Sequence, residues 1–530
     1  MTLNVKCKKY CFIKYKERSI GGKRNPKIEH SMVDSPAFCN VIEGKMVDKL
    51  DTIILDEEAS KRPSSSGILQ CYKFYCNYLN KNEIKTIKLW EQLQNQNAKI
   101  LVKIDLDPEE NEQAIFDTVN SAGVRLTYAD TIKNSIFQNA IDKVKESSFD
   151  VTIGFDTLTI ASRDDVIKFY KKYWESTFST DQDTITYWAA LRPLGRITRD
   201  NLEILLHCVA LIWGIYNPDI HKISDLPNIY KEYTQSLSTS ELFEFIKSIC
   251  NYAITFKKFF CSFDSTTLFS FKKPIQRLFH IFDVFDISTF HAYVLKLLCE
   301  YEIADEENIP DELASELSKL ESIAIRFVVC GSSTKNFNKN CADLISKKTT
   351  TDKILEDRDA EVNDTIFTEK LKSINNKNAT LLLFWLELKR RLEDSKVKEE
   401  ELKYCYTLEH IMPQEWSEYW PVTNPKVMNV KSLPTPTEIS DENVANEVRK
   451  KAIYEIGNMA LLVSSLNTSI RNYDFKRKME GEGHKKGVKK YDYLLYTKDI
   501  TSLYDAGIQW NEVEIRKRTN SLISEIIKIW

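Results

Sequence analysis

Glycine and proline each occur only 14 times in 530 residues, and no other feature constrains the fold as tightly. Ordinary soluble chains carry about 7% glycine and 5% proline. A β-sandwich or barrel needs a turn about every 8–12 residues, and turns draw on these two residues for their special backbone angles. A chain so poor in both must satisfy its backbone polar groups inside long helices. The reading is therefore a mainly α protein. Its length suits about two to four domains. A hydrophobic fraction of 42% and an aromatic fraction of 11% can fill their cores and argue against disorder.

The hydrophobic periodicity agrees. Asp34-Ser35-Pro36 is a helix start, with Ala37–Val47 behind it. Residues 59–66 form a polar loop; Ile68–Leu79 and Lys85–Gln94 are predicted helices, and Ala98–Leu106 alternates as a strand. From about 160 to 395 the stripes predict consecutive helices over Asp164–Phe178, Arg199–Ile215, Ser240–Phe260, Phe271–Phe282, Thr289–Tyr301 and Glu312–Cys330. Tyr230, Tyr233, Phe243 and Phe245 are read as core rather than as a base-binding pocket. Asp352–Asp364 is charged and reads as an exposed connector, and Ala379–Glu393 as an amphipathic helix.

The stretch that carries chemistry is Thr407-Leu408-Glu409-His410-Ile411-Met412-Pro413-Gln414, followed about fifty residues later by Ile456-Gly457-Asn458-Met459-Ala460-Leu461-Leu462 and Leu466-Asn467. Hydrolysing a phosphodiester needs a base for water and a cation for charge on the phosphate. A neutral imidazole can take the proton near neutral pH. Mg²⁺ takes oxygen ligands and keeps several waters, so one carboxylate and one amide oxygen suffice. His410 is the candidate base, and Glu409 and Asn467 are the candidate ligands of Mg²⁺ or Mn²⁺. Strand neighbours point to opposite faces, so Glu409 and His410 can share a site only at a strand end or bulge. Pro413 is consistent with such an ending. Asn458 is read as shaping the loop through bonds to backbone. The pattern suits an HNH (His-Me finger) nuclease. The plainer reading of a lone histidine on an apolar strand is a hydrogen-bonded structural residue.

These residues resemble the C-terminal nuclease domain of GmrSD-type restriction endonucleases. That family shows an acidic-His-Ile-x-Pro-Gln strand, a Gly-Asn-hydrophobic strand and an Asn that opens a helix. Phe475-Lys476, Trp510-Asn511 and Ile515-Arg516-x-Arg518 extend the likeness over roughly residues 400–530. Glu409 departs from the Asp often found there. The resemblance implies a ββα-metal nuclease domain over 396–530, cutting modified phage DNA. Arg471, Lys476, Arg477 and Lys478, on the segment after Asn467, are the expected grip on the DNA backbone. His484 is a weak candidate for a further metal ligand, since glycines flank it.

A second segment carries helix–turn–helix signals. Glu109–Val119 has helical spacing, Asn120 and Gly123 end it, and Thr127 with Asp130 starts the next helix. Phe116, Asn120, Gly123, Asp130, Lys133 and Asn134 resemble a pattern in the N-terminal domain of the same proteins, with Thr131 as the departure; a structural role is expected for them. The resemblance makes residues 1–106 a remnant of a ParB-like domain and 107–395 a helical domain. The family's Asp-Gly-Gln-Gln-Arg motif is missing, and Gly21-Gly22-Lys23-Arg24 lacks the spacing of a phosphate loop. NTP is therefore not expected on this chain. A separate polypeptide, a truncated gene or an upstream start would account for the missing motif.

The net charge of −3 confines any nucleic-acid surface to local patches, such as the basic stretch Met1–Lys27, which reads equally as a solvated surface. Twelve cysteines without a CxxC pair read as reduced thiols. With no signal peptide or membrane-length apolar run, the expectation is a cytoplasmic protein. The expected function is a metal-dependent DNA endonuclease. The alternatives are a catalytically idle DNA-binding or regulatory subunit, and a nuclease toxin.

Overall fold

The computed structural model describes residues 34–55, 65–81, 88, 91–92, 127–146, 149–153, 156–194, 197–260, 262–398, 400–421, 426–428, 436–438, 442–491 and 493–530. It is mainly helical, and every described sheet has two strands. The basic N-terminal stretch, the predicted strand Ala98–Leu106 and the motif residues Phe116, Asn120 and Gly123 lie outside the described residues, as does most of Lys85–Gln94. Among the described residues no helix is long and apolar enough to cross a membrane.

The chain divides into two compact units. The first comprises Met1–Arg192, Asp200–Glu203 and Leu226–Cys250. Within it the helix Tyr128–Glu146 packs along Leu226–Ser236, and Asn139 donates to Thr234 Oγ1 at 2.7 Å. Thr127 Oγ1 accepts from the Asp130 N–H at 3.1 Å and donates to its carboxylate at 3.0 Å, and Lys133 pairs with the same carboxylate at 3.0 Å. These three residues hold a helix start together. The predicted helix Asp164–Phe178 is continuous but carries a π-helical segment, Tyr170–Glu175, which brings both Tyr170 and Trp174 against Phe137. Tyr230, Phe243 and Phe245 are fully buried core.

The second unit comprises Pro193–Arg199, Ile204–Asp225 and Asn251–Trp530. Its helical part contains α1 (Pro274–Phe285), α2 (His291–Glu300), α3 (Asp311–Cys330), α4 (Asp364–Leu371) and α5 (Asn376–Glu393). Proline at the first position and a left-handed Asp286 bound α1. Gly331, at φ 72°, ends α3 with the paired bonds of its own N–H to Val328 and the Ser332 N–H to Phe327. Between α3 and α4 the predicted exposed connector Asp352–Asp364 is instead helical over Thr351–Glu356 and Asp359–Val362, with Ile354 and Val362 buried beneath its charges.

The helix α5 differs from its expected amphipathic form. Leu381 to Leu388 is buried on every side, including Glu387. The Glu387 carboxylate accepts from Arg391 at 2.7 Å and from the Leu495 and Tyr496 N–H groups at 3.0 and 3.2 Å. It thereby caps α9 (Leu495–Asp505) from inside the core. The helix α5 also packs on the strands β1 (Tyr406–His410) and β2 (Met459–Val463). Around them lie α6 (Glu442–Ile453), α7 (Ser464–Ile470), α8 (Phe475–Glu480) and α10 (Glu512–Ile529). Their shared core includes Ile411, Met412, Leu462, Phe475, Met479, Trp510 and Ile515.

Candidate functional site

β1 and β2 are antiparallel, with Met459 opposite His410, Ala460 opposite Glu409 and Leu461 opposite Leu408. β2 runs directly into α7. The regular register alternates the side chains of β1 between two faces. Beyond His410 the strand gives way to the buried Met412 and Pro413. Asn458, fully buried, holds this ending. Its Oδ1 accepts from the Met412 N–H at 2.8 Å and Trp510 Nε1 at 3.0 Å, and its Nδ2 donates to the carbonyls of Met412 at 2.8 Å and Ile453 at 2.9 Å. Gly457 lies beneath α10, where a Cβ would collide with the Ile515 carbonyl and Thr519.

His410 is 8% exposed. Its Nδ1 lies 2.8 Å from the Ile453 carbonyl oxygen, which only a donating N–H satisfies. That bond assigns the proton to Nδ1 and leaves a lone pair on Nε2. Burial pushes the imidazole pKa below its usual range, the Lys478 ammonium adds to the shift, and the bond to Ile453 opposes it. The ring is thus held neutral, the form a base requires. Nε2 faces the Asn376 amide, with Oδ1 at 3.2 Å, and Gln414 Nε2 at 3.5 Å. An amide turn at Asn376 exchanges its oxygen for a donor. The Tyr454 ring stands edge-on, 5.8 Å away between centroids.

The other face of β1 carries Thr407 and Glu409. Lys478, from α8, donates to the Glu409 carboxylate and, at 2.9 Å, to the His410 carbonyl oxygen. Its side chain is fully buried. Burial raises the Glu409 pKa and lowers that of Lys478, each opposed by the partner's charge. Asn467 Nδ2 donates to Thr407 Oγ1 at 3.1 Å and the Leu408 carbonyl at 3.0 Å, which pins α7 to β1. Asn467 and Glu409 therefore meet one face of β1, while the His410 imidazole takes partners on the other.

The cations after Asn467 divide. Arg471 and Lys476 are exposed, and Arg477 is half-buried over the rings of Tyr419 and Tyr473. Lys478, expected on the DNA backbone with them, is corrected to an interior ion pair, since a side chain without exposure cannot reach a phosphate. His484 is exposed in the turn between the two-residue strands Gly481–Glu482 and Lys485–Lys486. Among the described residues no group of three or more His, Cys, Asp or Glu side chains could hold a metal ion.

Next to His410 opens a cleft of about 860 Å³, walled by the end of α4, the first turn of α5, Gln414, the end of α6 and Arg516. Its charged lining is Lys372, Lys450, Lys451 and Arg516 against Glu369 and Glu455. Sequence reasoning passed over Asn376, Lys450, Lys451 and Tyr454. The Lys-Lys pair three residues before an exposed tyrosine was the available signal, but nothing in the sequence ties it to His410.

Residues 357–525 match the family described as GmrSD restriction endonucleases, C-terminal domain. The match covers about a third of the chain and takes in Asn376, both strands and the cleft walls. No curated protein matches the chain.

Proposed function

We propose that this GmrSD-type C-terminal domain is a DNA endonuclease in which β1, β2 and α7 form an HNH-type ββα finger and His410 is the general base. The carrying observation is the fixed tautomer of His410: Nδ1 is committed to the Ile453 carbonyl, and Nε2 points to Asn376 and Gln414, two residues of the cleft wall. A water beside Nε2 gives up its proton as its oxygen attacks phosphorus. The P–O bond opposite then breaks, and the leaving oxygen takes a proton from solvent. The Ile453 carbonyl stays hydrogen-bonded to the imidazolium so formed.

Glu409 and Asn467 would hold Mg²⁺ or Mn²⁺. By chemistry the donor set fits, because Asn467 commits its amide nitrogen to Thr407 and Leu408 and keeps its oxygen for a cation, on the strand face that also carries the Glu409 carboxylate. The carboxylate is shared with Lys478, so a bound cation competes with an ammonium. When bound, the metal would supply electrostatic stabilisation to a phosphate on its own face of β1, away from the His410 imidazole, so no step at His410 passes through it. Restriction of modified phage DNA in the cytoplasm, together with a separate nucleotide-sensing polypeptide, is the biological setting proposed.

The test is cleavage of plasmid and modified phage DNA with Mg²⁺ or Mn²⁺ by the wild type and by His410→Ala. Loss of a positioned base lowers the rate by about 10²–10⁴-fold. Equal cleavage by both proteins removes His410 from the mechanism. No cleavage by the wild type, with DNA binding intact, replaces the enzyme by a DNA-binding or regulatory subunit.

A further inference from the structure

We infer that the cleft beside His410, rather than the basic surface of α8, is the groove that receives the nucleic-acid strand to be cut, with Lys450 and Lys451 on its phosphates and Tyr454 against a base. The inference rests on His410 being the base. Three observations carry it.

The first is direction. His410 Nε2 looks toward Asn376 and Gln414, both in the cleft wall. The helix α8 meets β1 through the opposite face, by the Lys478–Glu409 contact. A strand lying along Arg471 and Lys476 would sit away from the reacting nitrogen.

The second is charge. The cleft is lined by four cations against two carboxylates. Lys451 is exposed and makes no salt bridge among the described residues. Lys450 pairs with Glu447 at 2.8 Å, with both side chains more than half exposed, an interaction that a phosphate can replace at little cost. Both lysines lie in the last turn of α6, three and two residues before Ile453, whose carbonyl fixes the His410 tautomer.

The third is the aromatic ring. Tyr454 is 45% exposed yet lies 5.8 Å from the His410 ring between centroids. An exposed aromatic next to cations and a base is the arrangement by which single strands are held, with stacking for the base and charge for the backbone. The cleft's volume of about 860 Å³ leaves room beside that ring for a ligand of nucleotide size.

The experiment uses the full chain and a fluorescein-labelled 12-nucleotide single strand, with binding read by anisotropy in EDTA. Tyr454→Ala and Lys451→Ala should each weaken binding about tenfold, and Lys451→Ala should lower the slope of log affinity against log salt by about one. Tyr454→Phe, which keeps the ring, should bind like the wild type. Lys476→Ala, on α8, should change binding less than twofold. The reverse pattern, with α8 controlling affinity and the cleft variants silent, overturns the groove. Exposed positions leave the fold intact, which a thermal melt of each variant checks. Cleavage is followed in parallel. A wild type that cuts, with silent cleft variants, sinks the groove alone. A wild type that never cuts, yet binds through Tyr454 and Lys451, sinks the nuclease and keeps the groove.

Discussion

The ammonium of Lys478 lies against the carboxylate of Glu409 with no solvent exposure of the lysine side chain. Two charges leave water together here, and each is tolerable only because of the other. The pair fills the place where a sequence reading puts a divalent cation.

Removing the ammonium should expose that competition. Lys478→Met leaves the Glu409 carboxylate buried and unpaired, at a cost of about 3–5 kcal/mol. Mn²⁺ should then restore part of the lost stability by binding the native state, about 2.7 kcal/mol at a hundredfold excess over its dissociation constant. Thermal midpoints with and without Mn²⁺ would be compared for the wild type, Lys478→Met and the double variant with Glu409→Gln. The Mn²⁺ shift should be largest in Lys478→Met and absent in the double variant. Equal shifts in the wild type and Lys478→Met would show that ammonium and metal do not compete.

Asn458 is a second test of architecture, independent of catalysis. Its amide makes four hydrogen bonds, to Met412 twice, to Ile453 and to Trp510. Asn458→Ala strands the Met412 and Trp510 N–H groups in the interior, at about 1–3 kcal/mol each. A total loss of about 3–5 kcal/mol is expected, read as a lower urea midpoint at unchanged slope. A loss below about 1 kcal/mol would mean that water replaces the amide and that the strand ending does not depend on it.

Buried histidines set a pH limit on the same unit. His280 accepts from Trp385 Nε1 at 3.1 Å, and burial drives its pKa down to about 3. His207 is driven down to about 3 by burial, with the Arg199 guanidinium adding to the shift. An unfolded histidine takes up a proton near pH 6.5, whereas the folded one does not until about pH 3. The unfolded state therefore binds more protons in that window. Stability is complete above about pH 6.5 and falls as pH drops toward 3, by at most about 1.4 kcal/mol per pH unit for each histidine. His280→Gln should lose less stability than the wild type between pH 7 and pH 5 in denaturant titrations. The difference between the two proteins isolates His280 from the buried Glu321, whose raised pKa works in the opposite sense. Parallel losses would show that His280 is protonated without unfolding.

Much of the helical architecture was legible because a buried stripe repeats every turn: the predicted Ser240–Phe260 and Glu312–Cys330 correspond to helices at Thr239–Phe259 and Asp311–Cys330. The charged segment Asp352–Asp364 misled, because Ile354 and Val362 are too few to show a stripe, yet they suffice to bury one side. In the candidate site, the sequence allowed Glu409 and His410 to share one site through a strand ending at Pro413; the register is regular through His410, and the two side chains take partners on opposite faces instead. Lys478 was misread because a lysine inside a basic run looks solvated, and only its packing under β1 reveals the buried pair.

The sequence by itself determined the helical class, the two strands and the order of the residues that carry chemistry, because these depend on local periodicity and spacing. Only the tertiary structure decided which partners those residues take. The His410 tautomer depends on a carbonyl 43 positions away, and its outer nitrogen meets an amide 34 positions upstream. Glu409 meets an ammonium 69 positions downstream. Contacts at such separations leave no periodic trace, since they exist only once α5, α6 and α8 have packed on one pair of strands.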